Sequence, residues 1–241
     1  MPSSLHRPRR RFGQHFLHDP RILEKIVDAL SLQPSDVVVE IGPGEGALTR
    51  LLLKRTPNVE AIEIDRDLAA RLRAEGVKVR EDDALEFDYS VFPAGARIVG
   101  NLPYNISTPL LFHLARYAER VRDMHFMLQL EVVERMVAAP STPEYGRLSV
   151  ALQARFRMQK LFNVARGAFR PPPKVESAVV RLVPRDEILR IDENLLRRAF
   201  SARRKTLKNA LPEVDFGRLG IDASLRPGNL SPDDYARISA G

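Results

Sequence analysis

The chain has 241 residues, of which 44% are hydrophobic, and it carries a formal net charge of +7. A chain of this size can bury a real core, either as one large domain or as one domain with a small appendage. It contains no cysteine, which excludes disulfides, thiolate metal sites and cysteine nucleophiles. The sequence also shows neither an apolar run long enough to span a membrane nor the apolar stretch of a secretory signal.

Strand and helix patterns alternate through the first 140 residues. In chain order they predict a helix at 22–30, a strand at 37–41 followed by the loop GPGEG, a helix at 47–55, a strand at 59–64, a helix at 65–76, strands at 77–80 and 96–100, a helix at 107–121, a strand at 124–130 and a helix at 131–139. Ser107 or Thr108 is the expected cap of the helix at 107–121, with Pro109 in its first turn. This alternation predicts a parallel sheet covered by helices on both faces.

The alternation of strand and helix patterns ends after residue 140. Residues 155–164 and 176–183 predict antiparallel edge strands on either side of the proline-rich stretch FRPPPKV. Residues 191–211 predict one amphipathic helix with its basic residues on one side, and a short helix follows Ser231 as cap and Pro232 as first residue. The expected organisation is an α/β domain at 1–184 with a basic N-terminal arm, and a small all-helical domain at 185–241.

Two segments hold the excess positive charge and contain no acidic residue. They contribute Arg7, Arg9, Arg10 and Arg11 in the first segment, and Arg197, Arg198, Arg203, Arg204, Lys205 and Lys208 in the second. Segregated charge of this kind favours a polyanionic partner, with nucleic acid as the first candidate. The alternative is that the first segment is a basic tail and the second a solvated helix face, without a polyanionic partner. The first segment could also be a mitochondrial presequence.

The GPGEG loop lies between a strand and a helix, where glycine lets the backbone turn sharply beside a ligand. Glu63 ends the next strand, where a carboxylate can accept the hydroxyl hydrogens of a ribose. The spacing E-x-G-x-G-x-G, from Glu40 through Gly42 and Gly44 to Gly46, resembles the first motif of S-adenosylmethionine methyltransferases rather than a dinucleotide fingerprint. In such enzymes a carboxylate after the third strand holds the adenine amino group. Asp83 is our choice over Asp82. The alternative is that these residues form ordinary acidic turns.

The strand at 96–100 delivers the tetrapeptide Asn101, Leu102, Pro103, Tyr104 to the same edge of the sheet. An exocyclic adenine nitrogen is a poor nucleophile because its lone pair is delocalised into the ring. The Asn101 side-chain oxygen and the Leu102 carbonyl can each accept one of its hydrogens, while Pro103 holds that carbonyl in place and Tyr104 stacks on the base. The tetrapeptide therefore predicts methyl transfer to an adenine amino group; the alternative is a proline turn with a packing tyrosine.

Seven motifs, in order, carry a resemblance to a known family. They are RFGQHFL (11–17), EIGPGEGALT (40–49), EIDRDLAARL (63–72), GNLPYNISTPLLFHL (100–114), YGRLSV (145–150), FRPPPKVESAVVRL (169–182) and RRKTLKNAL (203–211). Nearly end to end, the chain resembles the small-subunit (16S) ribosomal RNA adenine N6-dimethyltransferases, the KsgA/RsmA family. The resemblance implies a Rossmann-like fold, S-adenosylmethionine as methyl donor, and dimethylation of two adjacent adenosines in a hairpin near the 3′ end of 16S rRNA. It further implies action on the 30S subunit or its precursor during late ribosome biogenesis, as a cytoplasmic monomer.

The resemblance also assigns roles to individual residues. The implied cofactor contacts are His15, Leu17, Gly42, Glu63, Asp83 and Asn101, with Gly44 added from the glycine loop. His15 stands where many relatives have asparagine, which is a departure at that side-chain contact, and Leu17 is implied to contribute through its backbone. Phe169 corresponds to the family's second aromatic against the target base, or else is a core phenylalanine at a strand entry. His15 and His18 lack a third ligand for a metal site, and no metal is expected.

The expected RNA-binding residues are all basic. They are Arg9, Arg10, Arg11, Arg197, Arg203, Arg204, Lys205 and Lys208.

Three other functions are compatible with the motifs. A related family dimethylates one adenosine of large-subunit rRNA and confers macrolide resistance, and it shares the glycine loop and the N-x-P-aromatic motif. Some relatives act as binding proteins, either in transcription or in ribosome assembly. A nicotinamide oxidoreductase is the remaining alternative.

Overall fold

The structure is a computed structural model that describes residues 15–240. Its strands are β1 (Phe16–Leu17), β2 (Val38–Ile41), β3 (Val59–Glu63), β4 (Lys78–Glu81), β5 (Ala96–Asn101), β6 (Val121–Gln129), β7 (Phe156–Val164), β8 (Phe169–Arg170) and β9 (Ser177–Pro184). Its helices are α1 (Pro20–Leu30), α2 (Ala47–Leu53), α3 (Arg66–Ala74), α4 (Ser107–Ala115), α5 (Leu130–Val137), α6 (Arg147–Gln153), α7 (Glu193–Ser201), α8 (Leu207–Ala210), α9 (Phe216–Leu219) and α10 (Pro232–Ala240). None of the helices within this described range is long and apolar enough to cross a membrane.

Seven strands form the central sheet, in the order β4-β3-β2-β5-β6-β9-β7. The pairs from β4 to β6 are all parallel, with Ile41 opposite both Ile62 and Gly100, and Asn101 opposite Met127. The predicted α/β fold, a mostly parallel Rossmann-like sheet with an antiparallel edge, is confirmed. A separate two-stranded sheet pairs β1 with β8 in antiparallel fashion.

The sequence explains why β2 lies in the interior of the sheet. All four of its residues are buried, as expected for a strand covered on both faces. Since parallel strands share one direction, β2, β3, β4 and β5 all end at the same edge of the sheet. Ligands in doubly wound sheets bind beyond this edge, so the fold brings the segments that follow these strands to one place.

The chain divides into two compact units that differ from the predicted domains. The first unit ends at Leu130 and resumes over Lys160–Arg181, and the second comprises Glu131–Gln159 together with the residues from Leu182 onward. The last change from one unit to the other, between residues 181 and 182, lies close to the predicted boundary at 184, but the segment 131–159 groups with the C-terminal helices. Within that unit, Tyr145 is fully buried among the apolar residues of α7, α8 and α10, and its hydroxyl donates to the Leu230 carbonyl at 2.9 Å.

Several local predictions differ from the structure. Ser107 begins α4, and the residue at the cap position is Ile106, so neither Ser107 nor Thr108 is the cap. The helix predicted at 107–121 ends at Ala115, and the single helix predicted at 191–211 is broken between Ser201 and Leu207. The short elements α6, α9, β1 and β8 were not predicted.

The end of the chain agrees with its prediction. Ser231 caps α10 through a hydrogen bond from the Asp234 N–H at 3.1 Å, and Pro232 is the first residue of that helix.

Candidate active site

A cavity lies beyond the carboxyl ends of β2, β3, β4 and β5. It brings together all the residues predicted to bind the cofactor or to act in catalysis, with the exception of Phe169. These lining residues are His15, Leu17, Gly42, Gly44, Glu63, Asp83, Asn101, Leu102, Pro103 and Tyr104. Residues from five separate stretches of chain therefore surround a single space, as a bound small molecule requires.

The glycine loop forms one wall of the cavity. Gly44 has a φ of +56°, a conformation that side-chain-bearing residues rarely adopt, and a Cβ atom there would lie 2.9 Å from the Phe16 ring. The Gly44 N–H donates to the Glu63 carboxylate at 3.1 Å. The loop backbone is thus held between an aromatic ring and a carboxylate, and it leaves the space above it for a ligand.

Glu63 and Asp83 present carboxylate oxygens to the cavity. Glu63 is buried, and its second oxygen accepts the Asp65 N–H at 2.9 Å. Burial raises the pKa of Glu63, while these backbone N–H groups oppose the rise. Asp83 accepts the Leu85 N–H at 2.9 Å through one oxygen, whereas Asp82 is exposed and accepts the Asp83 N–H. Each oxygen can accept more than one hydrogen, so both carboxylates can still receive hydroxyl or amino hydrogens of a nucleoside.

Glu40 is a site residue that our sequence analysis used only as the start of a motif. It lines the cavity, is 2% exposed, and its Oε2 atom has no hydrogen-bond partner among residues 15–240. Burial, reinforced by the nearby charge of Glu63, raises the pKa of Glu40 to about 7. The Thr49 side chain opposes this rise, but a buried carboxylate with one oxygen unpartnered is costly unless a cation approaches it. This site therefore fits a cationic nucleoside ligand such as S-adenosylmethionine, which carries a sulfonium and an ammonium group.

We expect Glu40→Gln to stabilise the ligand-free protein at high pH. Because the folded-state pKa of about 7 lies above the ordinary value of 4.5, the folded protein holds a proton that the unfolded chain releases, and stability is lost as pH rises through this window. Removing the carboxyl should recover up to about 3 kcal/mol at pH 8 and little at pH 4.5. Urea unfolding at both pH values measures the difference, with the exposed Glu86→Gln as control. Equal stability of the Glu40→Gln variant and the parent at pH 8 would contradict this account.

The Asn101 side chain is oriented by the backbone at His15. Its amide nitrogen donates to the His15 carbonyl at 2.8 Å, and since that oxygen can only accept, the amide oxygen is the atom that remains for a ligand. The next residue, Leu102, is held by a hydrogen bond from its N–H to the Met127 carbonyl of β6 at 3.2 Å. A Cβ on Gly42 would be 4.0 Å from the Asn101 carbonyl oxygen, which places this corner beside the glycine loop.

Two aromatic side chains stand together on the cavity wall. The Tyr104 hydroxyl shares a hydrogen bond of 2.6 Å with the Ser177 hydroxyl, and Ser177 is fully buried. The His15 ring lies 5.5 Å from the Tyr104 ring, centroid to centroid, at an angle of 30°. His15 Nδ1 is 2.8 Å from the Pro171 carbonyl, so this nitrogen carries the hydrogen and both rings are fixed in position. No sequence motif identified Ser177 as the partner of Tyr104, because the contact joins distant parts of the chain.

Phe169 does not line the cavity itself. It is 2% exposed, it belongs to the apolar core that includes Leu17 and Val164, and it pairs with Leu17, a lining residue, across the small sheet. Its role as a second ring against the target base therefore stays a prediction. His15 is the aromatic residue whose ring lies beside that of Tyr104.

The predicted basic residues of the second unit are all exposed. Arg203 donates to the Pro143 carbonyl and Arg197 to the Asn194 side chain, so these two have local partners. Arg204, Lys205 and Lys208 form no ion pair with any residue in the described range. Arg203–Lys205 occupy the turn between α7 and α8, not a helix as predicted. Arg9, Arg10 and Arg11 lie outside the described residues.

Among residues 15–240, no group of three or more histidine, aspartate or glutamate side chains is arranged to hold a metal ion.

Comparisons with known proteins identify relatives that are named as RNA methyltransferases, in agreement with the chemistry of this site. Residues 5–238 match the family model "Ribosomal RNA adenine dimethylase". The chain is 56% identical to the "Ribosomal RNA small subunit methyltransferase A" of Thiobacillus denitrificans, over 98% of both proteins, and 56% identical to the protein of that name in Aromatoleum aromaticum, over 98% of this chain and 94% of that one.

Two solved structures share the fold over most of the chain. A dimethyladenosine transferase from Plasmodium falciparum superposes with a TM-score of 0.82 at 31% identity, covering 93% of this chain and 96% of that one. The 23S rRNA methyltransferase ErmE superposes with a TM-score of 0.71 at 27% identity, covering 93% and 98%. Together with the family match, these findings show that the chain belongs to the ribosomal RNA adenine dimethylase family.

Proposed function

We propose that this protein transfers methyl groups from S-adenosylmethionine to the N6 atoms of two adjacent adenosines in a hairpin near the 3′ end of 16S rRNA. The observation that carries the proposal is the single cavity in which the glycine loop, Glu63 and Asp83 face the corner formed by Asn101 to Tyr104. The names of the relatives support the small-subunit substrate. We further propose that it acts as a cytoplasmic monomer on the 30S subunit or its precursor.

The cofactor, when bound, supplies a methyl group on a positively charged sulfur, which makes the carbon electrophilic. Glu63 and Asp83 would hold its ribose hydroxyls and adenine amino group, and Glu40 would compensate its positive charge. The glycine loop provides the close backbone approach. Because the leaving group departs without needing a proton, orientation of the two reactants can supply most of the rate enhancement.

The chain's own residues prepare the target nitrogen. In the first transfer the Asn101 amide oxygen and the Leu102 carbonyl would accept the two N6 hydrogens, which turns the nitrogen lone pair toward the methyl group. After each transfer the methylated nitrogen would release one proton to water, so the second transfer begins with a single N6 hydrogen. The Tyr104 ring, fixed by Ser177, would stack on the adenine, and such stacking contributes about 1–3 kcal/mol per base. Adenines in a hairpin loop are the least costly to unstack, which suits a pocket that receives a single base.

The alternative substrate is large-subunit rRNA, since the 23S rRNA methyltransferase ErmE has the same fold. The experiment that decides is methyl transfer from labelled cofactor to unmethylated 30S subunits and, in parallel, to protein-free 23S rRNA. We expect label on the 30S subunits, as N6,N6-dimethyladenosine at adjacent positions. Labelling of 23S rRNA alone would reject the proposed substrate, and RNA binding without transfer to either would favour a pure binding protein.

We expect Arg204→Ala, Lys205→Ala and Lys208→Ala, combined, to flatten the salt dependence of binding to 30S subunits. Each phosphate contact that is lost lowers the slope of log affinity against log salt by about 0.7 to 0.9. Arg198→Ala is the matched control, because Arg198 is paired with Glu213 at 2.5 Å. A slope unchanged from the parent would reject the assignment of this turn to RNA.

A further inference from the structure

A short basic loop lies against the candidate active site and belongs to no RNA-binding segment identified above. We call residues 165–176 the proline loop. It carries Arg166, Arg170 and Lys174, all of which are exposed, and none of the three forms an ion pair with another residue of the described chain. The Arg166 guanidinium lies 3.4 Å from the Lys174 carbonyl, and the loop's single acid, Glu176, is also exposed. The loop therefore presents a net charge of about +2 to solvent.

The proline loop is tied to the two rings of the active site. The carbonyl of Pro171 accepts the His15 Nδ1 hydrogen, and Ser177, the residue directly after the loop, holds the Tyr104 hydroxyl. Main-chain hydrogen bonds add further anchors, from His18 to the Ala168 carbonyl and from Leu130 to the Glu176 carbonyl, each at 2.9 Å. Because three consecutive prolines at 171–173 lie between these anchors, the backbone that carries the basic side chains is stiff and lies beside the cavity.

This placement has a chemical consequence that rests on the proposed function. A nucleotide whose base enters the cavity beside Tyr104 leaves its own phosphate and that of its neighbour outside. Those phosphates need positive partners that remain fixed, because the base has to reach the methyl group in one orientation.

We propose that Arg166, Arg170 and Lys174 bind the RNA phosphates that flank the target adenosine. The proline loop thus positions the substrate directly at the reacting atoms, whereas the basic turn of the second unit provides general affinity. Substitutions in the proline loop and in the basic turn should therefore affect RNA binding differently. Those in the loop should remove contacts with the RNA backbone next to the target adenosines, and those in the turn should remove contacts with other parts of the RNA.

The test is the combined variant Arg166→Ala, Arg170→Ala, Lys174→Ala on unmethylated 30S subunits. We expect KM for the subunits to rise about tenfold or more, and the slope of log KM against log salt to fall by about 2 to 3. Affinity for S-adenosylmethionine alone should remain unchanged, which verifies that the cavity is folded. Hydroxyl-radical footprinting, which reports on the riboses of the RNA backbone, should show loss of protection only at the nucleotides next to the target adenosines.

A matched control changes three exposed basic residues at the opposite edge of the sheet, Lys54→Ala, Lys78→Ala and Arg116→Ala, and should behave as the parent. Arg166→Lys with Arg170→Lys keeps the charge and should keep the parent's salt slope. The proposal is overturned if the triple variant keeps the parent's slope of log KM against log salt and the parent's footprint on the RNA. It is also overturned if the triple variant loses protection on a ribosomal protein instead, because the loop then binds protein. Failure of the parent itself to methylate 30S subunits is a separate result that rejects the proposed function.

Discussion

Replacing Asn101 with alanine is expected to lower the rate of methyl transfer by about 10²- to 10³-fold, the cost typical of removing one preorganised polar group that acts on the transition state. The reason is the fixed orientation of this amide. Its nitrogen is held by the His15 carbonyl at 2.8 Å, so its oxygen serves as an acceptor for the target amino group without rearrangement. Single-turnover transfer to unmethylated 30S subunits measures the chemical step directly.

RNA binding should survive the same substitution, because the basic segments are unaltered. Asn163→Ala, at an exposed position on β7, is the matched control and should transfer at the parent's rate. Transfer by Asn101→Ala within tenfold of the parent would show that the amide does not prepare the nucleophile. Since Asn101 also lines the cofactor cavity, cofactor affinity is measured alongside, and saturating cofactor isolates the effect on the adenine.

Replacing Arg97 with methionine is expected to destabilise the protein by about 3–5 kcal/mol, the typical cost of breaking a buried ion pair on one side. Arg97 is 3% exposed, near the start of β5. It makes a bidentate contact with Asp123 at 2.8 and 2.7 Å and reaches Asp36 at 3.0 Å. Its removal leaves two largely buried carboxylates, of which Asp123 retains Arg181 at 3.3 Å and Asp36 retains the exposed Arg122 at 3.0 Å. Urea unfolding at neutral pH measures the loss.

The exposed pair Arg157 and Asp186 provides the control, with one guanidinium nitrogen 2.9 Å from the carboxylate. Arg157→Met should cost no more than about 1 kcal/mol, because exposed ion pairs contribute little. Adding Asp123→Asn to Arg97→Met should recover part of the lost stability by removing one stranded charge. A loss for Arg97→Met no larger than that for Arg157→Met would contradict the account. Since Arg97 lies at the end of β5 away from the cavity, the folded variant should transfer methyl groups normally.

The central sheet was predictable because its signals are local. Short β-branched runs alternate with helical stripes, and the glycine loop and Asn101–Tyr104 follow directly after strands, so the common direction of parallel strands was enough to bring them together. Helix ends were less predictable. The apolar pattern of 191–211 continues across the break, but the N–H groups of Leu207 and Lys208 bond to the carbonyls of Leu225 and Ala223, which lie well beyond the local window.

The same distinction holds within the active site. Glu63 and Asp83 are recognisable by spacing, whereas the partners that fix the site are distant in sequence. Ser177 reaches Tyr104 across 73 positions, and the His15 carbonyl orients Asn101 across 86. Phe169 is a further example, since a motif suggested the residue but not its strand partner Leu17, which lies 152 positions away and lines the cavity. A motif names the residue type, but long-range pairing decides what lies next to it.

The central claim is that the corner Asn101–Tyr104 presents an adenine amino group to the cofactor's methyl carbon. A crystal structure with S-adenosylhomocysteine and adenosine tests it most directly. We predict the adenosine N6 within hydrogen-bond distance of both the Asn101 side-chain oxygen and the Leu102 carbonyl, with the base stacked on Tyr104. An adenosine bound elsewhere, or one whose N6 points away from both oxygens, would contradict the account.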